Sequence, residues 1–163
     1  MGCSFSNLER VQRLMSTKST SDYSTSCSTG DKLDVADASG CLRYINTNYH
    51  DDDKPVMQIA VDCYVFNRDR ERLHNHLVQL AMAAYKTPKM SQKYADTMAK
   101  IVGDELIGKT KTDAEKAGDL GVSKSGYCQY HAPVFETVFS EIFEPISKAD
   151  GLAGLYWREC KQG

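Results

Sequence analysis

Val134, Phe135, Val138, Phe139, Ile142, Phe143 and Ile146 recur at i, i+1, i+4, i+5, i+8, i+9 and i+12. Only a helix that buries one face can use such a stripe, so this segment predicts the centre of a helical core. Pro133 suits the first turn, where a missing N–H costs nothing. Pro145 lies deeper and predicts a kink or an end after Phe143. Phe139, midway along the stripe, is the expected centre of packing. Beyond Asp150 and Gly151 a last short helix is expected to carry Leu152, Leu155, Tyr156 and Trp157, the only tryptophan. Tyr156 and Trp157 are the expected partner-binding residues.

Upstream, Leu73, Leu77, Leu80, Ala81, Ala84 and Tyr85 form an apolar stripe on a helix from Arg68 to about Lys86, with Asn67 as its cap. Thr87-Pro88 breaks it. A second helix follows from Pro88 to about Ile107, with Gly108 as the stop, and a short one is expected around Thr112 to Ala117. Val56 to Phe66 reads differently. Met57, Ile59, Val61, Cys63 and Val65 alternate with other residues, which is the period of a half-buried strand. Pairing with residues 41–47 gives a β-hairpin over about 41–66. The expected fold is therefore α+β and mostly helical, a small hairpin followed by three to five helices, packed as a single domain over 41–163.

The N terminus carries a different signal. Met1-Gly2-Cys3-Ser4-Phe5-Ser6 presents Gly2 with a serine four positions later, the pattern for N-myristoylation, and Cys3 beside it suits palmitoylation. The hexapeptide resembles the N termini of G-protein α subunits, Src-type kinases and effectors that plant-pathogenic bacteria inject into host cells. That resemblance implies a location and no activity. Residues 1–15 read as a lipid-anchor segment in which Arg10 and Arg13 would meet an anionic leaflet, each contributing about 1 kcal/mol. Residues 16–40, rich in serine and threonine, read as a flexible linker with too few apolar groups to order.

Composition narrows the function classes. The 163 residues are 41% hydrophobic and 26% charged with net charge −2, so no global basic field exists to bind nucleic acid. There is neither a signal peptide nor an apolar run near the roughly 20 residues that span a bilayer. Synthesis and retention in the cytoplasm are expected. The six cysteines are never closer than the 14 positions between Cys27 and Cys41, which is no metal motif. Cys63 and Cys128 read as small hydrophobes. His50-Asp51-Asp52-Asp53 lacks the EF-hand pattern and reads as a solvated turn. His74 and His76 are two apart and point to different sides of a helix, while Cys128 and His131 supply two ligands where structural zinc needs four. No phosphate loop, dinucleotide fingerprint or nucleophile elbow occurs.

Gly121-Val122, Tyr127, Val134-Phe135 and Val138-Phe139 resemble the globin stretch running from the end of the haem-bearing helix into the next one, over about 25 residues. The resemblance implies an iron-binding histidine four residues before Gly121, where this chain has Ala117. No cofactor, metal or catalytic residue is therefore expected. The leading expectation is a non-enzymatic, lipid-anchored adaptor on the cytoplasmic leaflet, with Gly2 and Cys3 acylated and a protein partner. The alternatives are a self-assembling structural subunit such as a small viral coat protein (the one case in which nucleic acid would be a partner), an injected effector, and a globin-like protein lacking its axial histidine.

Overall fold

The computed structural model describes residues 5–16, 35–49, 54–65 and 70–160. They form seven helices and one further helical turn, with no strand among the described residues. In chain order these are α1 (Ser6–Ser16), α2 (Val35–Asn48), α3 (Lys54–Ala60), α4 (Arg70–Ala84), α5 (Pro88–Leu106), α6 (Asp113–Leu120), the single turn α7 (Lys124–Gly126) and α8 (Ala132–Leu155). Wider π-helical turns continue the chain at Val61–Val65, Tyr127–His131 and Tyr156–Cys160. Two compact units result, Arg70–Glu144 and Phe5–Asp69 with Pro145–Gly163.

The expected hairpin is overturned. Residues 41–48 belong to α2, and the alternating segment is α3 with its π turn. Met57, Ile59, Cys63 and Val65 are buried as the alternation required, but Val56, Val61 and Asp62 are half-buried as well. A segment covered on most sides suits a helix as readily as a strand. A lone two-stranded hairpin is marginally stable in water, so with only helices as neighbours the strand has nothing to complete it. Helix α2 also begins six residues inside the stretch read as linker.

In the unit Arg70–Glu144 the sequence periodicity holds. Helix α4 buries Leu73, Leu77 and Ala81 and packs on α5, which buries Ala95, Met98, Ala99, Val102 and Leu106. The break at Thr87 doubles as a cap: its hydroxyl accepts the Met90 N–H at 3.2 Å. Helix α6 opens with a capping box in which Thr112 and Glu115 each accept the other's backbone N–H, and it closes on Gly121 at φ 73°.

Helix α8 runs unbroken through Pro145, against expectation. A proline inside a helix costs about 3 kcal/mol. Val138, Ile142, Ile146, Ala149 and Ala153, all 0% exposed on both sides of it, offset that cost. The Pro145 carbonyl is also engaged, accepting the Tyr49 hydroxyl. The centre of the stripe is shifted from Phe139. Phe135, Phe139 and Phe143 stack in a ladder with centroids 5.7 and 5.4 Å apart, but Phe139 and Phe143 are only half-buried. Ile142→Ala is accordingly expected to cost about 2–5 kcal/mol, more than Phe139→Ala, in urea denaturation of the two variants. The reverse order would place the core on the phenylalanine side.

Candidate functional site

The sequence-predicted residues fall mainly in the unit Phe5–Asp69 with Pro145–Gly163. Gly2, Cys3 and residues 17–34 lie outside the described residues, as do His50-Asp51-Asp52-Asp53 and the Asn67 cap. Helix α1 packs on α2 and on the Val61–Val65 turn, with Phe5, Leu8 and Val11 buried. Its N-terminal end is held by α8. Asp150 Oδ1 accepts the backbone N–H groups of Asn7 and Leu8, both at 3.0 Å, and Oδ2 accepts the Asn7 side-chain amide at 3.1 Å. A carboxylate therefore caps α1 from a distant helix, satisfying donors that an isolated helix leaves open and opposing the positive end of its dipole.

Gly154 and Trp157 complete this seat. A Cβ at Gly154 would come 2.9 Å from Asn7 Nδ2, so a larger residue there would displace the Asn7 amide from its place beside Asp150. Trp157 is 6% exposed and its Nε1–H donates to the Asn7 carbonyl at 3.5 Å. Arg10 lies over its ring, 5.4 Å from the centroid, within range of cation–π attraction. Tyr156 is half-buried, with its ring 5.7 Å from that of Tyr44. A Cβ at Gly40 would overlap its hydroxyl. The two residues expected to meet a partner thus pack within the chain. Arg10 and Arg13 stand on the exposed side of α1.

The unit Arg70–Glu144 holds a second constellation that sequence spacing did not indicate. Tyr85, just past α4, and His131, ending the Tyr127–His131 turn, are 6% and 3% exposed. Tyr85 Oη lies 2.8 Å from His131 Nδ1. The Tyr94 ring stands edge-on to the imidazole at 4.6 Å, and Tyr127 stacks on it at 6.3 Å. Beside them is a cavity of about 240 Å³ whose wall includes Tyr85, Met90, Gln129, Tyr130 and Val134. Ser91, whose hydroxyl donates to the Met82 carbonyl at 3.4 Å, ties the start of α5 to the end of α4 and so fixes this corner.

Burial pushes the Tyr85 phenol well above its ordinary range, and the neighbouring Tyr94 and Tyr127 add to this. Burial also raises Tyr127 and lowers His131. The imidazole is neutral and the phenol protonated. The phenolic proton has no other acceptor among the described residues, so Tyr85 donates to Nδ1.

His131 gives stability a sign with pH. Its depressed folded value means that the unfolded chain binds more protons once the pH falls below the ordinary 6.5. Stability is full above that value and is lost on acidification. His76, lowered by burial and partly restored by Glu141, acts in the same direction. Melting temperature is expected to fall between pH 7.5 and 5, with a shallower fall in His131→Gln. An equal slope in the variant would remove His131 from the account.

The remaining sequence candidates do not assemble. His74 Nε2 pairs with Asp96 Oδ1 at 2.8 Å. Cys63 and Cys41 are buried, whereas Cys128 is exposed and does not join the buried His131. No group of three metal-ligating side chains occurs among the described residues. The globin-like stretch does run from the end of one helix, α6, through α7 into α8. Ala117, at the position the resemblance implies for the iron-binding histidine, lies buried in α6 and offers no ligand to iron, so that position does not fit a haem. Compared with protein-family models, with curated proteins and with solved structures, the chain matches none.

Proposed function

We propose that this chain is a peripheral membrane protein, held on the cytoplasmic leaflet by acyl chains on Gly2 and Cys3, that acts by binding a protein partner. The observation that supports this best is the placement of α1. The acylation pattern runs directly into a helix docked by Asp150, Gly154 and Trp157, so a lipid anchor there would hold the folded unit itself at the bilayer. Arg10 and Arg13, three apart and both exposed, lie on one side of that helix and suit an anionic surface. No helix among the described residues is long and apolar enough to cross a membrane, so association would run through the acyl chains and this face.

With Trp157 buried, the large apolar side chains open to a partner among the described residues are Tyr130, 56% exposed, with Met82 and Ile107. Metabolic labelling with a clickable myristate analogue tests the reading. Label is expected on wild type and none on Gly2→Ala, with N-terminal mass spectrometry confirming that Met1 is removed. An unlabelled wild type, or equal label on both, would overturn the reading.

A further inference from the structure

The polar centre of the unit Arg70–Glu144 needs more explanation than packing supplies. A buried phenol and a buried imidazole share one short hydrogen bond, and two more tyrosines enclose the imidazole. Packing alone would be served by phenylalanine and leucine, without the cost of desolvating the polar groups.

We propose that Tyr85 is a redox-active tyrosine, which yields one electron to a high-potential one-electron oxidant and, in the same step, its phenolic proton to Nδ1 of His131. The O–H bond of Tyr85 breaks, an N–H bond forms at Nδ1, and the oxidant is reduced by one electron. The products are a neutral tyrosyl radical and an imidazolium. The hydrogen bond fixes the route of that step, although the burial that depresses His131 makes its imidazolium product costly. Loss of the proton first is opposed because burial disfavours the phenolate. Loss of the electron first would leave a phenol radical cation in an apolar site. Transfer of both together, over a hydrogen bond of 2.8 Å, avoids either charge on Tyr85.

The imidazole is free to receive the proton because burial keeps it neutral. The cavity, with Tyr85 in its wall, brings a small oxidant within reach. Tyr94, half-exposed and 6.1 Å from Tyr85 between centroids, offers a second route for the electron.

The test uses the full chain, with tris(bipyridine)ruthenium(III) generated by a flash as the oxidant. Transient absorption and electron paramagnetic resonance follow the radical. Wild type is expected to give a neutral tyrosyl radical that outlives the one formed on N-acetyltyrosinamide. Tyr85→Phe keeps the ring and loses the hydroxyl, and it is expected to lose the long-lived signal. Tyr130→Phe, which removes the exposed phenol, is expected to keep it. His131→Gln removes the proton acceptor and is expected to slow radical formation on the order of a hundredfold, with the solvent deuterium isotope effect altered. A long-lived radical that persists in Tyr85→Phe overturns the assignment. So does a wild type whose radical decays as fast as the free amino acid's, an outcome that needs no variant to fold.

Discussion

Trp157→Ala is expected to be among the most damaging single substitutions in the unit that contains α1, at about 3–5 kcal/mol. Such a loss is a large fraction of the 5–15 kcal/mol that holds an ordinary domain together. In thermal terms it amounts to roughly 6–20 °C for a chain of this size. The effect has several sources that fall together. The indole is 6% exposed, its N–H answers the Asn7 carbonyl, Tyr156 packs edge-on at 5.1 Å, and Arg10 covers the ring. Truncation leaves a cavity under the first turn of α1 and frees Arg10 at once. Trp157→Phe keeps most of the apolar area and should cost less than half as much. Urea denaturation followed by far-ultraviolet circular dichroism measures both, since the intrinsic fluorophore is lost with the residue. A change below about 1 kcal/mol for Trp157→Ala would be the signature of a surface residue. Trp157 would then be returned to the partner-binding role that its sequence position suggested.

The same seat shows where sequence reading stops. The apolar side of α1 was legible, because Phe5, Leu8 and Val11 repeat at three-residue spacing. What receives it was not: Asp150 stands 143 positions from Asn7, and no local pattern announces that its carboxylate caps another helix. Trp157 carried a usable hint. Ile146, Ala149, Ala153 and Trp157 continue the α8 stripe at spacings of three and four, which argues for burial over exposure. The expected break at Pro145 concealed that continuity. Local signals with a single physical source read correctly: Thr87-Pro88 as a break, Gly108 after α5, and the α4 stripe. The alternation at Met57 to Val65 misled because period two and all-round burial produce the same apolar residues over a short run. Tyr85 and His131 are 46 positions apart and meet only through the packing of α4, α5 and the turn before α8.

On the proposed reading, Gly2→Ala is expected to move the protein from the membrane fraction to the soluble one. One myristoyl chain binds only marginally, with an association constant on the order of 10⁴ M⁻¹, whereas two chains hold stably. Gly2→Ala should forfeit both, because an unanchored Cys3 seldom meets a membrane-bound palmitoyl transferase. Cys3→Ser should retain myristate yet partition mostly to the supernatant. Arg13→Glu added to Cys3→Ser should release the remainder by removing an attraction of about 1 kcal/mol and replacing it with repulsion. Arg10 is left in place because it covers Trp157. The docked helix adds a sharper expectation. Cys3 is two residues from the buried Phe5, a reach of at most about 7 Å, whereas a flexible tether of some 25 residues would average about 25–30 Å. Trp157, the only tryptophan, is therefore expected to transfer energy efficiently to a dansylated lipid in vesicles loaded with acylated protein. Deleting residues 17–34, which follow α1 in the chain, should leave that transfer unchanged. Weak transfer from vesicle-bound protein would mean that α1 leaves its seat at the membrane. Full pelleting of Gly2→Ala with membranes would place the association in the folded protein or a partner, and the N-terminal pattern would carry no anchor.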